Sequence, residues 1–212
     1  MTQESSGGLP RQERGLWALQ WQRHLVWAAH DGGRVQGVSH LSDVETLRRQ
    51  AREHIDDGPI TEAYGADRER VIAVLNEVLA TELVCYLRYK RHYFTATGLN
   101  ATNAAAEFLQ HATQEQQHAD MAATRITQLQ GEPDFNPDIL SKRSHAEYVE
   151  GSDLTEMVRE DLVAERIAIA SYSEIVRWLG NNDPTTRRMI EQILEVEEEH
   201  ANDLINLLEE LK

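Results

Sequence analysis

The chain has 212 residues, enough for one domain with a sizeable core plus an appendage, and its formal net charge is -15 at pH 7. That balance argues against a sequence-independent nucleic-acid binder, which needs a basic patch, and suits the attraction of cations. Cys85 is the only cysteine, so neither an intrachain disulfide nor a multi-thiolate zinc site is expected, and a cytoplasmic location fits best.

Residues 1–40 have little periodicity, with Ser5 to Gly8 near the start and Asp31 to Gly33 near the end. They are expected to form a poorly ordered N-terminal extension, in which a short helix over 15–29 is the one candidate element. That stretch carries Leu16, Trp17, Leu19, Trp21, Leu25, Val26 and Trp27, but Gln20, Gln22, Arg23 and His24 interrupt it. No apolar run reaches about 18 residues, so no membrane span or signal peptide is expected. Residues 41–66 read as a short helix and linker: Val44, Leu47, Ala51 and Ile55 share one face, and Asp56 to Pro59 end it.

Residues 67–212 read as an all-α four-helix bundle. Asp67 is an N-cap and Gly98 a stop for the first helix, with the stripe Ile72, Leu75, Leu79, Glu82, Tyr86, Tyr89, Tyr93. The second runs from after Asn100 to Gln130, with the stripe Phe108, Ala112, Glu115, Ala119, Ala122, Ile126, Leu129, and His118 lies one turn beyond Glu115. A long connection, 131–152, precedes the third helix, which Asp153 opens with Glu156 in the reciprocal capping position and Gly180 closes. Its stripe is Leu154, Val158, Leu162, Glu165, Ile169, Tyr172, Val176. Asp183 caps the fourth helix, with Pro184 in its first turn. Helices of roughly 27 to 31 residues would each be about 40 to 45 Å long. The two short links predict antiparallel hairpins, while the long crossover between helices 2 and 3 lets those two run parallel.

Each stripe is broken by an acid. In the fourth helix, Ile190, Ile193, Val196, Leu204 and Leu208 pass directly over Glu197 and His200, whereas Glu198 and Glu199 fall off the stripe toward solvent. The halves repeat: a helix with one core glutamate is followed by a helix with a core Glu-x-x-His. Four core-facing carboxylates would repel one another unless protonated or sharing cations. Two divalent ions against four carboxylates give a neutral cluster, with one nitrogen from each histidine. The candidate ligands are Glu82, Glu115, His118, Glu165, Glu197 and His200. Oxygen and imidazole donors without thiolate favour iron or manganese over structural zinc.

Tyr89 and Tyr172 each stand two turns beyond a lone glutamate, as packing residues or as hydrogen-bond donors to a ligand carboxylate. Asp161, one turn before Glu165, is a candidate partner for the imidazole N–H of a ligand histidine, or else a partly exposed helix acid. His92 and His111 read as ordinary surface or satisfied histidines, and Cys85 as a small core hydrophobe.

One Glu from each of two helices plus a Glu-x-x-His from each of the other two is the ligand pattern of ferritin-like carboxylate proteins. With LNEVLATEL at 75–83, Tyr89, His92, EQQHAD at 115–120, DLVAE at 161–165 and EEEH at 197–200, the chain resembles a bacterioferritin-type member of the ferritin-like superfamily. The resemblance covers about residues 66–212. It implies a di-iron ferroxidase that oxidises Fe(II) with dioxygen or hydrogen peroxide, in cytoplasmic iron storage or detoxification, and a homo-oligomer, either a dimer or a closed cage.

The chain departs from that pattern in several places. Gln116 stands where bacterioferritins carry a haem-ligating methionine, so haem is not expected. Gln110 and Gln114 replace the His and Asp of an internal-surface iron site. The sequence runs only twelve residues past His200, which weighs against the family's fifth helix and 24-subunit cage. Rubrerythrin-like peroxidases resemble the same bundle, but Ala168 stands where they place a further glutamate, and paired cysteines are missing. The alternatives to a ferroxidase are a dimanganese catalase-like or other di-metal oxidase, and a non-catalytic helical scaffold with a vestigial metal site.

Overall fold

The computed structural model describes residues 42–98 and 100–212, and the expected helix over 15–29 lies outside them. A division between two units falls after Arg48. The first described helix, α1 (Val44–Glu53), is opened by Asp43, whose carboxylate accepts from the backbone N–H groups of Glu45 and Thr46. None of its residues is buried, and a single 3-10 turn, Ile55–Asp57, follows it.

Four long helices build the bundle: α2 (Arg68–Thr95), α3 (Ala101–Gln128), α5 (Leu154–Leu179) and α6 (Pro184–Glu210), with a four-residue helix α4 (Leu140–Arg143) inside the crossover. Their starts follow the sequence signals. Asp67, Asp153 and Asp183 each accept a hydrogen bond from the backbone N–H three residues on, a cap that contributes about 1 kcal/mol. Pro184 then occupies the first turn, where its missing N–H costs nothing. The reciprocal bond expected of Glu156 is displaced by one residue, since its carboxylate takes both the N–H and the hydroxyl of Ser152. Asn100 opens α3 in the left-handed region without a side-chain cap.

Two apolar clusters fix the helix directions. One joins Val71, Leu75 and Leu79 from the start of α2 to Ala122, Ile126 and Leu129 from the end of α3, Tyr172 and Leu179 from the end of α5, and Ile190 and Ile193 from the start of α6. The other joins Tyr89, Phe108, Ala112, Met157, Val158, Leu204 and Leu207, from the opposite ends of the same helices. Hence α2 with α3 and α5 with α6 are antiparallel hairpins, and α3 runs parallel to α5, as expected of the long crossover.

The crossover climbs along the outer face of α2. Asn76 bonds the backbone of Glu132 and Asp134, Thr81 accepts from the His145 N–H, Arg88 donates to the Glu147 carbonyl, and Arg91 donates to that of Glu150. This ladder satisfies backbone groups that no regular element serves. It also changes which face of α2 is buried: Cys85, Arg88 and His92 are enclosed, while Tyr86 and Tyr93 of the expected stripe are only half-buried. At the other end, Arg125 and Tyr64 converge on Asp183, so one carboxylate caps α6 and ties it to α3 and to the linker before α2.

Candidate metal centre

Between the two apolar clusters lies a polar layer. Glu82 of α2, Glu115 and His118 of α3, Glu165 of α5, and Glu197 and His200 of α6 meet there, none more than 5% exposed. The register read from the stripes thus brings all six side chains together, and Glu198 and Glu199 face solvent.

The six form two overlapping quartets of donor atoms, each within 4.8 Å of one another: Glu82, Glu115, His118, Glu197 and Glu115, Glu165, Glu197, His200. Glu115 and Glu197, the glutamates of the two Glu-x-x-His motifs, belong to both. Glu82 and His118 belong to one quartet, Glu165 and His200 to the other. The Nδ1 of His118 lies 2.9 Å from Glu197 and 3.3 Å from Glu82, and that of His200 lies 3.2 Å from Glu115 and 3.3 Å from Glu197.

Around this layer the hydrogen bonds are crossed. The Tyr89 hydroxyl of α2 donates to Glu165 of α5, and the Tyr172 hydroxyl of α5 donates to Glu82 of α2. Each tyrosine therefore orients the lone glutamate of the other half. The Nε2 of His200 is 3.1 Å from the Gln114 Oε1, which accepts its proton and leaves the Nδ1 lone pair facing the carboxylates.

Burial dominates the electrostatics. It raises Glu115 and Glu165 well above the carboxylate range, with repulsion from Glu197 next in both cases. Glu197 is raised for the same reasons, with Glu82 as its main repelling neighbour. Burial also works to raise Glu82, but hydrogen bonds and charge from His118 outweigh it and bring the group below its usual value. Burial alone would lower His118; the carboxylates of Glu197 and Glu82, 2.9 and 3.3 Å from its Nδ1, instead push it up to about 10. His200 is lowered, by burial first and then by the neighbouring His118 charge, against the pull of Glu165.

Divalent cations fit this layer. Glu115 Oε1, both Glu197 oxygens and His200 Nδ1 are buried without a hydrogen-bond partner among the described residues. Leaving such groups uncompensated costs about 1 to 3 kcal/mol each, more when charged. All the donors are carboxylate oxygen or imidazole nitrogen, a set that suits iron or manganese.

Asp161 does not touch this layer. It is fully buried and accepts from Arg88 Nε at 2.8 Å and His92 Nδ1 at 2.8 Å, so both expectations, a bond to one of the six residues and a partly exposed acid, are corrected. The reason is the crossover, which covers α2 there and makes Asp161 the counter-charge of a buried arginine. The sequence named Gln114 only as a departure from an internal-surface iron site, and its bond to His200, like the roles of Arg88 and His111, was not legible there. His111 lies one turn before Glu115 on the same face, a spacing that could have marked it. Its ring stacks on His200 with centroids 4.0 Å apart, and burial, then the His200 charge, push it down to about 3. Cys85 is packed against Ala146 and Ala164 as a small hydrophobe.

The chain belongs to the ferritin-like family, whose Ferritin-like domain matches residues 72–212. It is 27% identical over 146 residues to a bacterioferritin of Desulfovibrio desulfuricans, covering 68% of this chain and 78% of the relative. A DNA protection during starvation protein of Pyrococcus furiosus is 30% identical over 146 residues, covering 66% and 78%. Among solved structures, the dodecameric thioferritin of Bacteroides fragilis, a bacterioferritin-related protein, superposes with a TM-score of 0.67 at 29% identity, over 69% of this chain and 89% of its own.

Proposed function

We propose that the protein is a di-iron ferroxidase that oxidises Fe(II) with dioxygen or hydrogen peroxide, in iron storage or detoxification. The observation that carries this reading is the pair of overlapping quartets sharing Glu115 and Glu197. Those two glutamates would bridge a pair of ions, with Glu82 and His118 completing one position and Glu165 and His200 the other. Carboxylate bridging of this kind holds two ions about 3.5 to 4 Å apart, where both can act on one oxygen species.

Fe(II) is the substrate, and each ion gives up one electron. Two electrons and two protons reduce dioxygen to hydrogen peroxide, or hydrogen peroxide to two waters. The chain's part is to bind, orient and enclose. Tyr89 and Tyr172 hold Glu165 and Glu82 in place, Gln114 fixes the His200 tautomer, and the flanking apolar clusters keep bulk water out.

The similarity to a bacterioferritin and to a dodecameric thioferritin supports an iron role and a homo-oligomeric, cage-like assembly. The name of the Pyrococcus relative adds DNA protection as a purpose for the same chemistry. The charge of -15 favours protection by consuming iron and oxidant over protection by coating DNA. Among the described residues no helix is long and apolar enough to cross a membrane.

The test is the initial rate of Fe(II) oxidation on addition of oxygen or peroxide. Glu115→Ala and His118→Ala are expected to lower it at least tenfold, and rates equal to the unaltered protein would exclude the ferroxidase reading. A dimanganese centre on the same ligands would instead show as oxygen evolution from peroxide by manganese-loaded protein.

A further inference from the structure

A second group of side chains of metal-ligating type stands beside the six. Glu107 and His111 are one turn apart on α3, and Asp203 faces them from α6; their donor atoms lie within 4.8 Å of one another. The His111 side chain is fully buried, and its Nε2 has no hydrogen-bond partner among the described residues. That nitrogen is aimed at the two carboxylates, 3.8 Å from Glu107 Oε2 and 3.7 Å from Asp203 Oδ2. Both distances exceed a hydrogen bond.

The protons around His111 can be assigned. Tyr89 has one hydroxyl proton, which it gives to Glu165. Its oxygen, 3.3 Å from His111 Nδ1, is then left to accept, so Nδ1 carries the imidazole proton. Nε2 therefore presents a lone pair, and three acceptors converge with no proton between them. Donors 3.7 to 3.8 Å apart fit around an ion that each contacts at about 2.1 Å, a bond length ordinary for nitrogen and carboxylate ligands. The two carboxylates also line a polar cavity of ≈ 360 Å³ with Asn103, Asn206 and Glu210, and with side chains 40% and 32% exposed they leave further coordination positions open to solvent.

We infer that Glu107, His111 and Asp203 form a third, mononuclear site for a divalent first-row cation such as Fe(II). One nitrogen and two carboxylates suit iron, manganese, cobalt or zinc and disfavour calcium or magnesium. The His111 ring, stacked on His200, separates this site from the six-residue layer by one imidazole. The site stands on its own three residues, and only its use in iron handling rests on the di-iron reading.

Anaerobic equilibrium dialysis of the full chain against Co(II), with metal counted per chain, separates the two sites. The unaltered protein is expected to bind three ions, Glu107→Gln/Asp203→Asn two, and Glu115→Ala/His118→Ala one. Glu107 and Asp203 are partly exposed and their replacements are isosteric, so the first variant is expected to melt with the unaltered metal-free protein. A Glu107→Gln/Asp203→Asn protein that is folded and binds as many Co(II) ions as the unaltered chain overturns the third site. A Glu115→Ala/His118→Ala protein with an undiminished count overturns the dinuclear reading instead.

Discussion

Tyr89 reaches across the bundle to donate its hydroxyl proton to Glu165, a carboxylate on the helix that begins the other half of the repeat. Tyr172 returns the bond to Glu82. The lone glutamate of each half is thus oriented by the tyrosine of the other, which couples the two halves at the level of the candidate centre.

Tyr89→Phe and Tyr172→Phe keep the ring that packs the core and delete only the hydroxyl. Removing a group that orients a metal ligand typically costs about 10- to 100-fold in affinity. Each variant is expected to bind Fe(II) at least tenfold more weakly under anaerobic competition with a chelator. Unchanged affinity would reduce the tyrosines to packing.

Gln114→Leu should act on one position only. It removes the acceptor of the His200 Nε2 proton while leaving His118 untouched. A two-step anaerobic titration is expected to show the Glu165/His200 position weakened about tenfold and the Glu82/His118 position unchanged. Equal weakening of both steps would contradict the assignment of Gln114 to one histidine.

The buried Arg88–Asp161 pair is a structural element, and its removal should separate stability from metal binding. Asp161→Ala would leave the Arg88 guanidinium and His92 without their shared carboxylate, an uncompensated charge costing about 3 to 5 kcal/mol. Urea unfolding should show that loss, with the metal count per folded chain retained. A stability change within about 0.5 kcal/mol would mean that water replaces the carboxylate.

The protonation of the centre predicts how metal removal depends on pH. Burial and mutual repulsion raise Glu115, Glu165 and Glu197 above the ordinary carboxylate range. His118, despite burial, is raised from 6.5 to about 10 by its carboxylate partners. For a raised group the stabilisation is complete below the unfolded value and lost as pH rises through the folded one. His200 and Glu82 are depressed, so their contribution is lost as pH falls instead. Between pH 6.5 and about 10 the raised groups therefore decide the sign: the metal-free protein loses stability with rising pH. Its Tm should fall across that window and the gap to metal-loaded protein should widen; a gap that narrows would contradict the charge balance.

What the sequence made legible was governed by local signals and by period. Asp67, Asp153 and Asp183 announce helix starts because the capping bond is made within three residues. Glu82, Glu115, Glu165 and Glu197 are legible because each interrupts an apolar stripe, and a stripe reports burial. What stayed hidden depends on meetings between distant segments. Asp161 finds Arg88 and His92 because the crossover folds over α2, and nothing in the third helix's own sequence shows that cover. The helix α4 is four residues long, too short for a period to show. Gln114 gains its role from α6, through His200, which no spacing within α3 specifies; the spacing of His111 to Glu115 marks its face but not the His200 ring it stacks on.

In the proposed centre Glu115 and Glu197 are shared between two ions. Anomalous diffraction at the iron edge, on crystals loaded anaerobically with Fe(II), tests it directly. Two peaks about 3.5 to 4 Å apart are expected between the six side chains, each with Glu115 and Glu197 among its ligands. A single peak, or two that do not share those glutamates, would exclude a pair of ions bridged by Glu115 and Glu197.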